Sequence, residues 1–347
     1  MSIRHKRNWA ARTVESVAFL KLGTTTKQVN NMPQILSRLS CSFASSLAGV
    51  IAAAAIGWSS AAGAETIPIG VGIDPGYVAF YTAKQEKLFE KFGLDVKFVQ
   101  FAQGGEGMDA LVAKQVVVSA AAEPTTIIRM ARSDIVALGV VAESGRFLKL
   151  ASRAGIDDPS KMKSIGVVPG GAMEYLTGLT MKKFNLDPVA VKQVRAGPPE
   201  MPALLARGDI DGFWLFEPFP TMAVANGGKV LATSGDVGYV YNFWVASSDS
   251  WLAGHTDEAE KILKALAAAC EIINADPQRG ADATQAEVKI PVSQTLAFLK
   301  QVDCKMRDFH PDDMKSYDAI ADFLSASKIT PMRVDYRKAV KSGFYKP

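Results

Sequence analysis

The sequence predicts an α/β protein of two lobes with a helical C-terminal tail. Three observations carry that prediction. Short apolar runs alternate with helix-length stretches from residue 65 to about residue 250, the pattern of repeated βαβ units in parallel-rich sheets covered by helices. This body of about 180 residues is large for a single sheet over one core, so it divides naturally into two lobes. From about Asp257 onward the apolar spacing reads as helical throughout.

The first 64 residues stand apart. They hold seven Lys/Arg and one acid, Glu15, so the formal charge of +4 comes from this segment. The remainder has 32 basic and 34 acidic side chains and no dense basic run, which gives no reason to expect a nucleic-acid partner. No charge occurs between Arg38 and Glu65, and that gap holds the apolar run Leu47–Gly57 followed by Ala62-Gly63-Ala64. A basic residue, an apolar stretch and an A-x-A end describe a secretory signal peptide with cleavage after Ala64. The gap is long enough to span a membrane, but its Ala, Gly and Ser content is weakly hydrophobic, which argues against an uncleaved anchor. Met32-Pro-Gln-Ile-Leu-Ser-Arg38 makes a normal n-region, so residues 1–31 read as an over-called start or an extension. Cys41 lies before the apolar stretch and does not suit lipidation.

Strand-like runs then occur in order at 67–73, 94–101, 116–121, 135–141, 164–168, 191–195, 212–216, 230–232 and 243–247. Helical stretches lie between most of them, at 79–92, 108–114, 173–184 and 201–207. In the tail, Asp257 and Glu258 beside Thr256 start a helix with acids favourably placed against its dipole. Pro277, Pro291, Pro311 and Pro331 punctuate the rest of the tail. Cys270 falls on an apolar helix face with Ile262, Leu263, Leu266 and Ile273. A disulfide to Cys304 and two separate buried thiols therefore both remain open.

Three helix starts carry the candidate chemistry, each just after an apolar strand. They are Asp74-Pro75-Gly76-Tyr77, Gln103-Gly104-Gly105-Glu106-Gly107 and Pro169-Gly170-Gly171-Ala172-Met173. Glycine lets backbone approach a ligand, and a helix N-terminus offers unbonded N–H groups and a favourable dipole. Any one of these could be a plain βα turn, but at the carboxyl edge of open sheets three together point to a shared cleft. Gly70, Gly72 and Gly76 nearly spell a dinucleotide fingerprint, but the last glycine is one residue late and two lie inside the strand. Glu123 and Glu217 each end an apolar strand and precede Pro, placed to accept a ligand N–H or to pair with a neighbouring base. Among the dense aromatics, Tyr77, Trp214 and Tyr239 are candidate cleft walls, the others candidate core. After the leader only His255 and His310 remain, neither near a cysteine, so neither zinc nor any other cofactor is expected. There is also no G-x-S-x-G elbow and no P-loop.

The residues resemble a known family at this point. The segment Gly76–Val96 is similar to the opening of nitrate/sulfonate/taurine-type solute-binding proteins, which are periplasmic components of ABC transporters. Leu204–Phe219, with Gly208-Asp-Ile-Asp-Gly212 and Glu217-Pro218, resembles a second family segment, and Val167–Ala172 resembles the Gly-rich turn of the second lobe. The resemblance implies a periplasmic-binding-protein fold of type II topology. Lobe one would be residues 65–148 plus 245–347, and lobe two residues 149–244. Crossovers would lie near Leu148–Ser152 and Asn242–Ala246. It further implies a monomer that takes a small-molecule ligand to an ABC permease and ATPase in the inner membrane, with Glu217 facing the ligand. The negative charge of Glu106 and Glu123, with no Lys or Arg in the glycine turns, favours a zwitterion, an amide or a heteroaromatic ring over a bare anion. The same fold hosts enzymes, a pyrimidine synthase and a desulfinase. The first needs a cysteine cluster this chain lacks, and the second uses a cleft cysteine that Cys270 and Cys304 do not supply. A ligand-sensing lobe for a membrane partner is the remaining alternative.

Overall fold

The computed structural model describes residues 65–347; the expected signal peptide and its cleavage after Ala64 lie outside that span. The chain opens with strand β1 (Ile67–Gly72), a short turn capped by Asp74, and helix α1 (Val78–Gln85). Lys87 takes a left-handed conformation, φ 54°, and so divides the single helix expected at 79–92, giving a separate α2 (Leu88–Lys91). Strand β2 (Val96–Phe101), α3 (Gly104–Val112), β3 (Val118–Ala122), α4 (Glu123–Met130) and β4 (Ile135–Ser144) complete the first run. Residues 145–148 then carry the chain into a second sheet.

That second sheet is built from β5 (Lys149–Ser152), β6 (Ser164–Val167), α5 (Ala172–Lys183), β7 (Lys192–Arg195), α6 (Met201–Arg207), β8 (Gly212–Leu215), α7 (Phe219–Ala225) and β9 (Lys229–Thr233). Residues 234–240 lead back to β10 (Tyr241–Ser248) in the first sheet, followed by α8 (Asp249–Leu252), α9 (Thr256–Ala275), α10 (Pro277–Val288), α11 (Val292–Leu299), β11 (Asp303–Arg307) and α12 (Asp313–Ala326). The two passages meet, Gly235 N–H donating to Gly145 O at 2.7 Å.

The strand orders are β11-β4-β10-β3-β1-β2 and β7-β6-β8-β5-β9. Both sheets are mixed rather than parallel-rich. The βαβ units give parallel pairs, β1 with β2 and β3, and β6 with β7 and β8. The strands that arrive from the other sheet run the opposite way: β5 is antiparallel to β8 and β9, and β10 to β3 and β4. The expected crossovers near Leu148–Ser152 and Asn242–Ala246 are largely these two strands, and the chain changes sheets just before each.

The tail contains one strand among its helices. In β11 the buried residues Cys304 and Met306 alternate with exposed Asp303 and Lys305, the period of a half-buried strand. Its Cys304 is bonded to Cys270 of α9, with the Cα atoms 5.3 Å apart, which settles the pairing that the sequence leaves open. Helix α9 buries Ile262, Leu263, Leu266, Cys270 and Ile273, the face its apolar spacing predicts.

Candidate functional site

Local rules place each candidate before tertiary packing is considered. Strand β1 ends in Gly72, and Asp74 caps the next turn, its Oδ1 accepting from Gly76 N–H at 2.7 Å. Tyr77 is fully buried, with its hydroxyl donating to Ala120 O on the neighbouring β3. Gly104 and Gly105 open α3, Ala122 and Glu123 open α4, and Gly171 caps α5, which begins at Ala172. Gly170 holds φ 79°, a left-handed conformation that suits glycine, so the chain can turn sharply from β6 into α5.

These openings face one cavity between the two sheets, with a volume of about 160 Å³. The first turns of α3, α4 and α5 border it, so three positive helix ends converge where N–H groups have no carbonyl of their own helix to bond. Aromatic rings make up another part of the wall. Phe147 stacks on Phe216 and Tyr241 stacks on Phe243, with ring centroids 5.7 and 5.8 Å apart, and the edge of Tyr77 meets Phe243 at 5.0 Å. Among the described residues, the acids Asp74, Glu106 and Asp109 and the base Arg129 lie in the wall.

Arg129 of α4 is not among the residues the sequence singles out, yet it ties two of the three glycine turns together. Nε and Nη2 donate to Asp109 Oδ1 and Oδ2 at 3.1 and 2.9 Å. Nη2 also donates to Gly105 O at 3.2 Å, and Nη1 to Gly170 O at 2.9 Å and Thr125 O at 3.4 Å. Every N–H of the guanidinium is thereby in use. The bond to Gly170 crosses from one lobe to the other. Gly171 makes the same approach possible, because a Cβ there would stand 2.7 Å from Thr125 Oγ1. Burial alone would raise the Asp109 carboxyl, but the Arg129 fork and Arg132 hold it below the usual carboxylate range. Asp74 has no such partner, and burial pushes it up to about 6, tempered by the Gly76 N–H.

The predicted residues divide in two. Tyr77, Gly104, Gly105, Gly170, Gly171 and Ala172 line the cavity. Gly76 lies behind the wall and acts through its N–H on Asp74. Four others are displaced from the expected wall. Trp214 points into the core of the second lobe, 1% exposed, and its indole N–H donates to Thr180 Oγ1 at 2.7 Å. Glu217 is bound within its own lobe, to Lys149 Nζ at 2.7 Å and to the Thr221 hydroxyl at 2.6 Å. Burial works to raise its carboxyl, but Lys149 and Thr221 outweigh that and hold it low. Glu123 is wholly buried as the first residue of α4 rather than the end of a strand, its Oε2 accepting from Asn242 N–H at 3.1 Å. Tyr239 is buried on the returning passage next to Glu123, close enough for its hydroxyl to act on the Glu123 carboxyl. Phe216, Tyr241 and Phe243 take the places expected for Trp214 and Tyr239. On β10 the alternation sends Tyr241 and Phe243 to the cavity and Trp244 to Tyr317 of α12, at 4.7 Å between ring centroids.

Known proteins share this arrangement of sheets and helices. Residues 60–288 match the NMT1-like family. None of the curated protein sequences matches the chain. The fold is similar to that of the periplasmic aliphatic sulphonate binding protein SsuA from Escherichia coli, with TM-score 0.71 and 15% identity over 79% of this chain and 97% of that one. It is also similar to the ligand binding component of an ABC-type import system from Staphylococcus aureus, with TM-score 0.66 and 18% identity over 81% and 97% of the two chains. The desulfurization enzyme DSZB shares the fold at TM-score 0.60 and 13% identity over 80% and 97%. The two-sheet α/β architecture is thus that of periplasmic binding proteins.

Proposed function

Because the chain belongs to the NMT1-like family, we propose that it is the periplasmic solute-binding component of an ABC importer, capturing a small molecule between its two lobes. The observation that carries this reading is the cavity at the junction of the two sheets, walled by glycine turns from both lobes. A site between two lobes suits capture and release better than bond-making, because separating the lobes returns the ligand unchanged. Its volume lies below the range of roughly 300–1,000 Å³ typical for drug-sized ligands, so the solute is small. The similarity to import components and sulphonate-binding proteins supports the transport role and a periplasmic site of action. A permease and an ATPase in the inner membrane are the partners this role implies.

The fold shared with a desulfurization enzyme makes catalysis the reading to test against. In this chain Cys270 and Cys304 are bonded to each other between α9 and β11, away from the cavity.

The experiment is a thermal-shift and calorimetric screen of the purified protein against small sulfonates, zwitterions, amides and heteroaromatics, with each mixture followed by NMR. A ligand at about 100 times its Kd adds roughly 2.7 kcal/mol to stability, a shift that is easily read. Saturable binding at one site with the compound recovered intact is the expected result. Chemical conversion of a bound compound, or no saturable binding across all four classes, overturns the reading.

A further inference from the structure

We propose that Glu123 couples lobe opening to a proton. The closed form holds its carboxyl as the acid, opening breaks the O–H bond and passes the proton to solvent water, and rising pH therefore favours release of the solute. This rests on the solute-binding reading above, but its test needs no ligand, so the two can fail separately.

The place of Glu123 in the fold carries the proposal. It is the first residue of α4 in lobe one, and it is wholly buried. Three separate parts of the chain enclose it. From lobe one, Asn242 at the start of β10 donates its N–H to Oε2 at 3.1 Å. From the returning passage, Tyr239 sets its hydroxyl beside the carboxyl. From lobe two comes α5, which packs against both α4 and α12. Its Tyr175 meets Tyr239 edge to face, with ring centroids 5.3 Å apart, and meets Phe323 of α12 at 5.2 Å. The seal over Glu123 is thus completed by the opposite lobe. Parting α5 from α4 and α12 strips Tyr175 from Tyr239 and lets water reach the carboxyl.

The charges around the site point the same way. Glu123 faces the phenols of Tyr175, Tyr239, Tyr241 and Tyr317, all held above their ordinary range chiefly by burial and so neutral through pH 9. It also feels the carboxylate of Asp313 on α12. Arg307 of β11 lies behind Asn242, but its donors go to Asp313, to Glu143 of β4 and to Asn242 Oδ1. Asp109, Arg129 and Arg132 pair with one another, and Arg129 lies in the last turn of α4, away from Glu123 at its first residue. Burial therefore raises the Glu123 carboxyl to about 8 in the closed form. Water brings it back toward its ordinary value of 4.5. Between those values the closed form binds more protons than the open one. Its advantage is complete below about pH 4.5 and is lost as pH rises through about 8, by up to about tenfold per unit.

Amide hydrogen exchange of the purified protein tests the coupling, because it reads openings too rare to change the average shape. Protection of residues 234–242 is followed from pH 6.5 to 8, with the intrinsic chemical rate divided out. Asp74, raised by burial to about 6, titrates below that range. In the natural protein these amides are expected to exchange faster than the slowest core amides, by an opening short of unfolding. Their protection should fall about five- to tenfold between pH 6.5 and 7.5. Glu123→Gln keeps a neutral group of the same shape, and in it the protection should stay level. Level protection in the natural protein overturns the proposal, since Glu123 then keeps its proton when the lobes part. Exchange of residues 234–242 as slow as that of the slowest core amides also overturns it, because nothing short of unfolding then exposes the carboxyl. Both comparisons need only the natural protein and stand even if the variant does not fold. A fall that persists in Glu123→Gln assigns the dependence to another group and ends the proposal as well. None of these results bears on the ligand screen, which decides the solute-binding reading by itself.

Discussion

Glu123 is a carboxyl with no access to water, and the free energy of that burial is measurable. Its carboxyl is pushed up to about 8 by desolvation, against an ordinary value near 4.5, with partial relief from Asn242 N–H. The native state therefore keeps a proton that the unfolded chain releases. The stabilisation this confers is complete below about pH 4.5 and is lost as pH rises through about 8. Glu123→Gln keeps a neutral group of the same shape and removes that dependence. Thermal unfolding at pH 5 and pH 8.5 should show a larger fall in Tm for the natural protein than for the variant, and equal falls would refute the assignment. At this scale the sequence is only half readable. It marks Glu123 as a carboxylate before a proline, but not whether the side chain turns into the cavity or away from it. The same limit displaces Trp214 and Tyr239. Alternation along β8 says that Trp214 and its neighbours face opposite ways, but which face meets the cavity depends on the helices packed behind the sheet, and Tyr239 precedes β10, outside any alternation. Packed helices supply Thr180 for Trp214 and Tyr317 for Trp244. Arg129 escapes notice for a related reason: it sits in the last turn of α4, seven residues from the end of β3, and reaches the glycine turns only through the fold.

Helices and strands are more legible than side chains, because their signals are local. The three glycine helix starts come after β1, β2 and β6 where the apolar runs end, and α9 buries the face its spacing marks. The elements that escape at this scale are short. β5 has four residues and β11 five, too few for a period-2 pattern to outweigh the helices around it. The Cys270–Cys304 bond joins α9 to β11 across 34 residues of sequence, and no spacing rule reports the 5.3 Å between their Cα atoms. Replacing both cysteines by serine should lower stability by about 2–4 kcal/mol through the freed loop in the unfolded chain. Urea unfolding of the variant, compared with the natural protein with and without reductant, would measure it. No loss in either comparison would mean that the bond contributes nothing to stability. Helices α5 and α12 meet across the lobes, and their contact can be broken separately. Phe323 of α12 lies over Gly178 of α5, where a Cβ would overlap its ring, and its ring is also packed against Tyr175 at 5.2 Å. Gly178→Ala raises helix propensity by about 0.5–1 kcal/mol. It also pushes Phe323 off that seat and so should separate the lobes. The expected outcome is a thermal melt that holds or rises together with ligand affinity that falls several-fold. Affinity and melting moving in the same direction would argue that the contact has no part in closure.

For the whole molecule, the described chain passes between the two sheets at residues 145–148 and 234–240. β4 and β10 are paired out to Ser144 and Tyr241, which leaves the short passages between the sheets as the expected place for bending. The lobes also share a continuous hydrophobic cluster and the Tyr175–Phe323 contact, and at the cavity wall the bond from Arg129 to Gly170 O adds a charge-assisted, part-buried link. Hydrogen bonds of this kind contribute about 1.5–3 kcal/mol, enough to move a two-state balance between open and closed forms by one to two orders of magnitude. Arg129→Ala removes that bond and those to Gly105 and Thr125, while Asp109 keeps Arg132 at 3.0 Å. The variant should therefore populate the open form, with a larger radius of gyration in small-angle scattering than the natural protein. Saturating ligand should restore the smaller radius at a Kd raised about tenfold or more, because part of the binding free energy now goes into closing the lobes. Equal radii for the two unliganded proteins would place the closing free energy elsewhere, with Phe323 on Gly178 as the next contact to break. A raised Kd without a change in radius would instead mark Arg129 as shaping the wall through Gly105 and Gly170. The two outcomes separate a latch between lobes from a support for the site within one of them.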